Sequence, residues 1–283
     1  MRYCILLLFL CWQWVGAQEL PDHDIHVFEF SEGRFVNPQV VSALEGYDNQ
    51  PQFSSDSQGV YFTREQAGNT DIWWWTSEGG PSRLVATPLG EYSPTVLPSG
   101  AGLSTVRVEA DQKQRLWKYR SRHGFELLFP KVEPIGYHAW AEDYIGLFIL
   151  GEPHSFQVLN LETRRLVKVA ENIGRCLQKV PNEEVFSITL EREGRHRLVR
   201  YSPKTGKVDQ GRLLPKNSQD YVWLDKNTLI TSTGSQLLKG DWSGDRSWER
   251  MDAPVGFQGI SRLAISPDRR RLAVVHLKNG WLW

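Results

Sequence analysis

The strongest constraint on the fold of this chain is a period: one phrase returns six times at intervals of about 43 residues. Its fullest copy is Asn49-Gln50-Pro51-Gln52-Phe53-Ser54-Ser55-Asp56-Ser57-Gln58-Gly59-Val60-Tyr61-Phe62. It continues through Asn69-Thr70-Asp71-Ile72-Trp73-Trp74-Trp75 to Glu78-Gly79-Gly80-Pro81-Ser82-Arg83-Leu84. In physical terms this is a strand, a Ser/Asp/Gly turn, a strand, a polar turn, an aromatic strand, a Gly-Gly turn and a last strand. Four short antiparallel strands in such a length make one blade of a β-propeller.

Weaker copies follow. Ser93-Pro94-Thr95-Val96-Leu97-Pro98-Ser99-Gly100 precedes Arg115-Leu116-Trp117-Lys118-Tyr119, and His138-Ala139-Trp140-Ala141-Glu142-Asp143 precedes Phe156-Gln157-Val158-Leu159. Then come Leu177-Gln178-Lys179-Val180-Pro181-Asn182, Tyr221-Val222-Trp223-Leu224-Asp225 and Leu263-Ala264-Ile265-Ser266-Pro267-Asp268. Aligning Phe53, Val96, Trp140, Lys179, Trp223 and Ile265 gives spacings of 43, 44, 39, 44 and 42. The expected fold is therefore all-β: a six-bladed β-propeller of four-stranded antiparallel blades.

The sixth copy runs out after Arg271-Leu272-Ala273-Val274-Val275, and its missing strands have counterparts at the other end of the chain. Asp24-Ile25-His26-Val27-Phe28-Glu29-Phe30 matches Asp71–Trp75, and Val40-Val41-Ser42 matches an outer strand. The last blade is thus expected to be closed by N-terminal strands, which removes an unpaired sheet edge. Trp281-Leu282-Trp283 competes with Ile25–Phe28 for the same place, and the sequence leaves that choice open. Trp73-Trp74-Trp75 reads as inter-blade packing, because stacked sheets bury both faces of a strand.

Residues 1–17 carry a different signal. Arg2 is a short positive region, Ile5-Leu6-Leu7-Leu8-Phe9-Leu10 an apolar one, and Val15-Gly16-Ala17 a cleavage site, so a signal peptide cut after Ala17 is expected. Residues 18–283 then form the propeller, with no transmembrane segment after cleavage. Export leaves 32 basic and 33 acidic side chains, and Cys176 as the sole thiol, which excludes an internal disulfide. This balance offers no basic footprint for nucleic acid. The 12 Trp, 12 Phe and 9 Tyr against 2 Met fit a strand-rich core. Cys176 reads as a buried, inert thiol, and Asp22-His23-Asp24 as a solvated arm rather than a metal site.

Pro51-Gln52-Phe53-Ser54-Ser55-Asp56, Asp71-Ile72-Trp73 and Ile265-Ser266-Pro267-Asp268 resemble the PD40, or WD40-like, repeat of TolB-like propellers. Gly46-Tyr47-Asp48-Asn49-Gln50-Pro51, Glu91-Tyr92-Ser93-Pro94-Thr95 and Gly136-Tyr137-His138-Ala139-Trp140 look like those of exported TolB-like proteins of uncharacterised role. The resemblance implies a bacterial, periplasmic propeller that works by binding. It also marks a departure: only about 30 residues stand between the signal and the first full repeat, so the α/β domain of TolB has no counterpart, and a direct TolB role is not implied.

Catalytic templates are missing: there is no G-x-S-x-G, H-E-x-x-H, C-x-x-C or phosphate-binding glycine loop. Polar residues gather instead just before each repeat anchor, where the inner strands should open onto one rim of the central channel. They are Asp48, Asn49 and Gln50; Glu91, Tyr92 and Ser93; Tyr137 and His138; Arg175; Asp220 and Tyr221; and Arg262. This rim is the candidate ligand site. The expected function is a non-catalytic, monomeric periplasmic module binding a protein, peptide or glycan, without a cofactor. The alternative is a Ca²⁺-dependent lactonase-type propeller, for which Asp48, Asn49, Glu91 and Asp220 have the right oxygen chemistry.

Overall fold

A computed structural model describes residues 20–31, 33–42, 45–252 and 257–278. The expected signal peptide and Trp281–Trp283 lie outside the described residues. The chain opens with β1 (His23–Ser31) and β2 (Arg34–Ser42). Blade 1 is β3 (Asp48–Phe53), β4 (Gly59–Gln66), β5 (Asn69–Thr76) and β6 (Gly80–Arg83). Blade 2 is β7 (Gly90–Val96), β8 (Leu103–Val108), β9 (Gln114–Arg120) and β10 (Gly124–Leu127). Blade 3 is β11 (Ile135–Trp140), β12 (Tyr144–Ile149), β13 (Ser155–Asn160) and β14 (Leu166–Glu171). Blade 4 is β15 (Gln178–Lys179), β16 (Phe186–Arg192), β17 (Arg195–Ser202) and β18 (Lys207–Leu213). Blade 5 is β19 (Tyr221–Trp223), β20 (Thr228–Ser232), β21 (Leu237–Asp241) and β22 (Glu249–Arg250). Last come β23 (Arg262–Ile265) and β24 (Arg271–Leu277).

Every blade is one four-stranded antiparallel sheet, and the sixth has the order β2-β1-β24-β23. The N-terminal strands close it as expected: β1 pairs β24 continuously from His23↔Leu277 to Glu29↔Arg271. His23 and Asp24 are therefore buried strand residues, not a solvated arm. Pairing with the distant strand β24 fixes their register, so the acidic composition there misled the reading. All six repeat anchors, Lys179 included, fall on the final residue of an innermost strand.

Turn chemistry explains why the phrase recurs. Ser54 Oγ donates to Asp56 Oδ1 (2.6 Å), which also accepts the Gln58 N–H (3.0 Å), while the Gly59 N–H reaches Ser54 Oγ (3.0 Å). Blade 6 repeats this with Ser266, Asp268, Arg270 and Arg271. A hydroxyl and a carboxylate two residues apart thus satisfy the backbone donors of a tight hairpin.

The core is divided among the six blade junctions. One apolar cluster spans each neighbouring pair of blades, from Phe53, Phe62 and Trp75 against Ile25, Val27 and Val275 to Val222 and Ile230 against Phe28 and Leu272. The tryptophan run belongs to this packing: Trp75 is buried, and Trp74 lies on Tyr61 with ring centroids 4.4 Å apart. A Cβ on Gly59 would collide with Trp74 at 2.1 Å, so the glycine makes room for the ring. Full burial of such a side chain is worth roughly 2–3 kcal/mol or more. Among the described residues no helix is long and apolar enough to cross a membrane.

Candidate functional site

In a blade, side chains leave the sheet perpendicular to its plane and enter the two flanking junctions. The innermost strand turns its edge to the channel, so its side chains reach the channel only at strand ends and where a bulge rotates the backbone. That geometry sorts the candidate residues.

Bulges interrupt β3 between Asn49 and Gln52, β7 between Tyr92 and Thr95, and β11 between Ile135 and Tyr137. Gln50 and Ser93 sit there with φ of 56° and 53°, each just before a proline, a conformation that costs a non-glycine residue about 1 kcal/mol or more. Hydrogen bonds hold it. Gln50 Oε1 accepts the Ser93 N–H (2.7 Å) and the Thr63 hydroxyl (2.8 Å), and Ser93 Oγ donates to the Gly136 carbonyl (3.2 Å). The channel wall is therefore stitched blade to blade. Blades 5 and 6 repeat the stitch, with the Leu263 N–H donating to Asp220 Oδ2 at 2.6 Å.

Two cavities occupy the channel. The broader, of roughly 390 Å³, is lined by Gln50, Gln52, Ser93, Thr95, Val96, Trp140, Gln178, Lys179, Val222, Leu263, Ile265 and Arg269, among others. The other, of roughly 340 Å³, opens at the start of the inner strands among Leu20, Pro21, His23, Tyr47, Asn49, Gln219 and Ser261. Tyr137, Arg175, Cys176, Asp220 and Arg262 line both and so form a polar waist between them. The Arg262 guanidinium lies 4.3 Å from the centroid of the Tyr137 ring, reaching from blade 6 to blade 3 across the channel.

The charges at the waist are interdependent. Burial raises the Asp220 carboxyl pKa, opposed by Arg262 and by hydrogen bonds from the Cys176 thiol and the Leu263 and Tyr221 amides. Burial works against the Arg262 charge, but Tyr137, Asp220 and Tyr47 outweigh it and hold the group protonated. Cys176 is pushed well up, first by burial and then by Asp220, so the buried thiol is a poor nucleophile although it lines the channel. Burial also raises Tyr47.

Of the predicted rim residues, Asn49, Gln50, Ser93, Tyr137, Arg175, Asp220 and Arg262 are brought together on the channel wall. Five are turned elsewhere or otherwise engaged. Asp48 and Glu91 are fully buried in blade junctions, paired with Arg64 (3.5 Å) and Arg107 (3.1 Å). Tyr92 packs into the junction between blades 2 and 3. His138 touches the broader cavity but is buried, with Nε2 2.6 Å from Ser104 Oγ, to which Trp140 Nε1 also donates. Tyr221 is its counterpart: its hydroxyl and Trp223 Nε1 both donate to Ser187 Oγ in the preceding blade, at 2.9 and 2.8 Å. Both residues are clasps between blades, and burial lowers the His138 pKa to about 3. Sequence reading missed Tyr47, Lys179 and Arg269 as wall residues; only Tyr47 had a signal, from its place in the Gly46-Tyr47-Asp48 phrase.

The oxygen donors considered for calcium do not fit a shared site. Asp48 and Glu91 face their arginines in separate junctions, while Asn49 and Asp220 face the channel. Among the described residues no three His, Cys, Asp or Glu side chains group as metal ligands.

No family model and no curated protein sequence matches the chain. Solved structures do. A protein assigned as TolB from Agrobacterium tumefaciens superposes with a TM-score of 0.71 at 14% identity, over 93% of this chain and 99% of that one. TolB from Acinetobacter baumannii gives 0.52 at 16% identity over 67% of this chain, which spans only 53% of that protein's length. A gluconolactonase from Xanthomonas campestris gives 0.60 at 14% identity, over 82% of this chain and 86% of that one. At these identities the likeness is one of fold: the chain has the six-bladed propeller fold, and its structural neighbours include TolB and gluconolactonase proteins.

Proposed function

We propose that the protein is an exported, non-catalytic binding module of the bacterial periplasm, which takes a protein, peptide or glycan partner at its channel. The observation that carries this reading is the waist: arginines, tyrosines and an internally bonded carboxylate converge on a channel with no activated nucleophile. The one thiol there has a raised pKa, His138 is a buried clasp, and burial lowers the pKa of both His138 and His23. The signal-peptide pattern of residues 1–17 and the TolB-like fold support the location. The lactonase alternative shares the propeller fold with the Xanthomonas enzyme, but two of its four expected donors, Asp48 and Glu91, are paired with arginines in blade junctions.

Gln178 lines the broader cavity and is half-buried, so Gln178→Trp should plug the channel without breaking a blade. Cross-linked capture from periplasmic extract should lose its principal partner at least tenfold with this variant. Equal recovery by both proteins, or turnover of a lactone by the wild type in calcium, would overturn the proposal.

A further inference from the structure

Two guanidinium groups at the waist make no ion-pair contact, although Asp220 is near enough to Arg262 to favour its charge. Among the described residues no carboxylate lies within 4.0 Å of Arg175 or Arg262, and neither side chain has a hydrogen bond to the protein. Four other arginines differ: Arg64, Arg83, Arg107 and Arg212 all have carboxylates within that distance. The two other cations on the broader cavity are balanced locally, Lys179 by Glu184 at 3.2 Å and Arg269 by Asp225 and Asp268 nearby. Asp220, the one carboxylate of the waist, already accepts the Leu263 N–H and has little capacity left. Gln50 likewise spends its carbonyl oxygen on Ser93 and Thr63, which leaves its NH₂ end for the channel. The waist therefore offers donors and positive charge within a protein whose formal net charge is zero. Guanidinium groups of this kind, exposed at Arg175 and half-buried at Arg262, bind carboxylates through charge-assisted hydrogen bonds.

The walls indicate what carries the anion. One face that could stack a sugar is taken, because Arg262 lies over the Tyr137 ring. Apolar side chains such as Val96, Val222 and Ile265 alternate along the broader cavity with the edges of the innermost strands. Strand edges present backbone donors and acceptors that an extended main chain can meet.

We propose that the waist holds a carboxylate of an acidic peptide segment between Arg175 and Arg262, with the adjoining residues extended through the broader cavity. This rests on the binding-module reading above. The test is fluorescence polarisation of the full mature chain with three labelled dodecapeptides that differ only in carrying four Glu, four Gln or four Lys. An oligogalacturonate competitor serves as the anionic glycan arm. The Glu peptide should bind at least tenfold more tightly than the other two and weaken as salt is raised. Arg175→Gln, at an exposed position, should cost at least tenfold, and Arg262→Gln at least as much; Lys168→Gln, exposed on β14, should cost nothing. Equal affinity for the three peptides, or full affinity in Arg175→Gln, overturns the carboxylate assignment. If Gln178→Trp still abolishes that binding, the module reading stands without it. Binding of oligogalacturonate with none of the peptides overturns the peptide class alone. Failure of every probe, together with unchanged periplasmic capture by Gln178→Trp, overturns both readings.

Discussion

The junction between blades 1 and 2 and the junction between blades 3 and 4 do the same mechanical task with different chemistry. The latter buries ten apolar residues, including Phe148, Phe156, Phe186 and Tyr201, with Phe156 and Phe186 edge to face at 6.0 Å. Gly146 lets them in: a Cβ there would meet both rings at about 3.0–3.1 Å. The former buries only three, Ile72, Val85 and Leu103. Its remaining space is filled by Asp71 with Arg83 (2.6 Å) and Glu91 with Arg107 (3.1 Å), the latter guanidinium lying 3.9 Å from the Phe125 ring centroid. Thr87 donates a further hydrogen bond to Glu91. The pair at Asp48 and Arg64 stands one repeat earlier, 43 residues before Glu91 and Arg107. The junction of blades 3 and 4 is thus held by rings, and that of blades 1 and 2 largely by buried ions. Shape alone stabilises an aromatic junction, whereas an ionic junction also depends on protonation.

That difference can be broken experimentally. The largest effect is expected from Phe186→Ala, which empties the centre of the aromatic junction and should cost about 3–5 kcal/mol in denaturant unfolding. The loss should be the same at pH 5 and pH 8, since the cluster around Phe186 holds no ion pair; a pH-dependent loss would erase the contrast. Next is the ionic junction. Burial raises Glu91 and Asp48 to pKa values of about 7, from ordinary values of 4.5 and 3.8. The folded state then binds more protons than the unfolded one between those limits, so this contribution is full below about pH 4 and is lost as pH rises through about 7. Wild-type stability should fall across that window by up to about 3 kcal/mol for Glu91, and Glu91→Gln should flatten the slope. An unchanged slope would show that Glu91 stays charged against Arg107. The smallest effect concerns Arg200, which lies 4.6 and 4.2 Å from the ring centroids of Trp223 and Trp242 between blades 4 and 5. Arg200→Lys keeps the charge but loses the planar stacking, for an expected cost of about 1 kcal/mol. No change in thermal midpoint would mean that the indoles hold the junction unaided.

The same contrast explains what could be read from the sequence. Blade number, anchor positions and ring closure were legible, because turn residues such as Ser54, Asp56, Ser266 and Asp268 recur with the fold's own period. The site was half legible. Polar residues before each anchor marked the inner strands correctly, but polarity does not say which way a side chain points. Asp48, Glu91 and Tyr221 sit beside channel residues in sequence, yet the two-residue alternation of a strand sends them into the junctions. The carboxylates found arginines one strand away, a pairing with no local sequence mark. Gln50, Ser93 and Tyr137 reach the channel through bulges, which the motif Pro51 or Pro94 after a polar residue hinted at without specifying.

The ring's seam joins β1 to β24, the first and last of the described strands. His26 and His276, 250 residues apart, meet at 2.8 Å across β1 and β24. A chain emerging from the ribosome or a translocon in sequence order presents β1 and β2 long before β24 exists. Throughout that interval the hairpin's pairing edge is exposed, and the search that ends it closes the longest loop in the molecule. Sealing is therefore a terminal event on the folding clock. Until then the sixth blade is half-built, open to any other strand that arrives first.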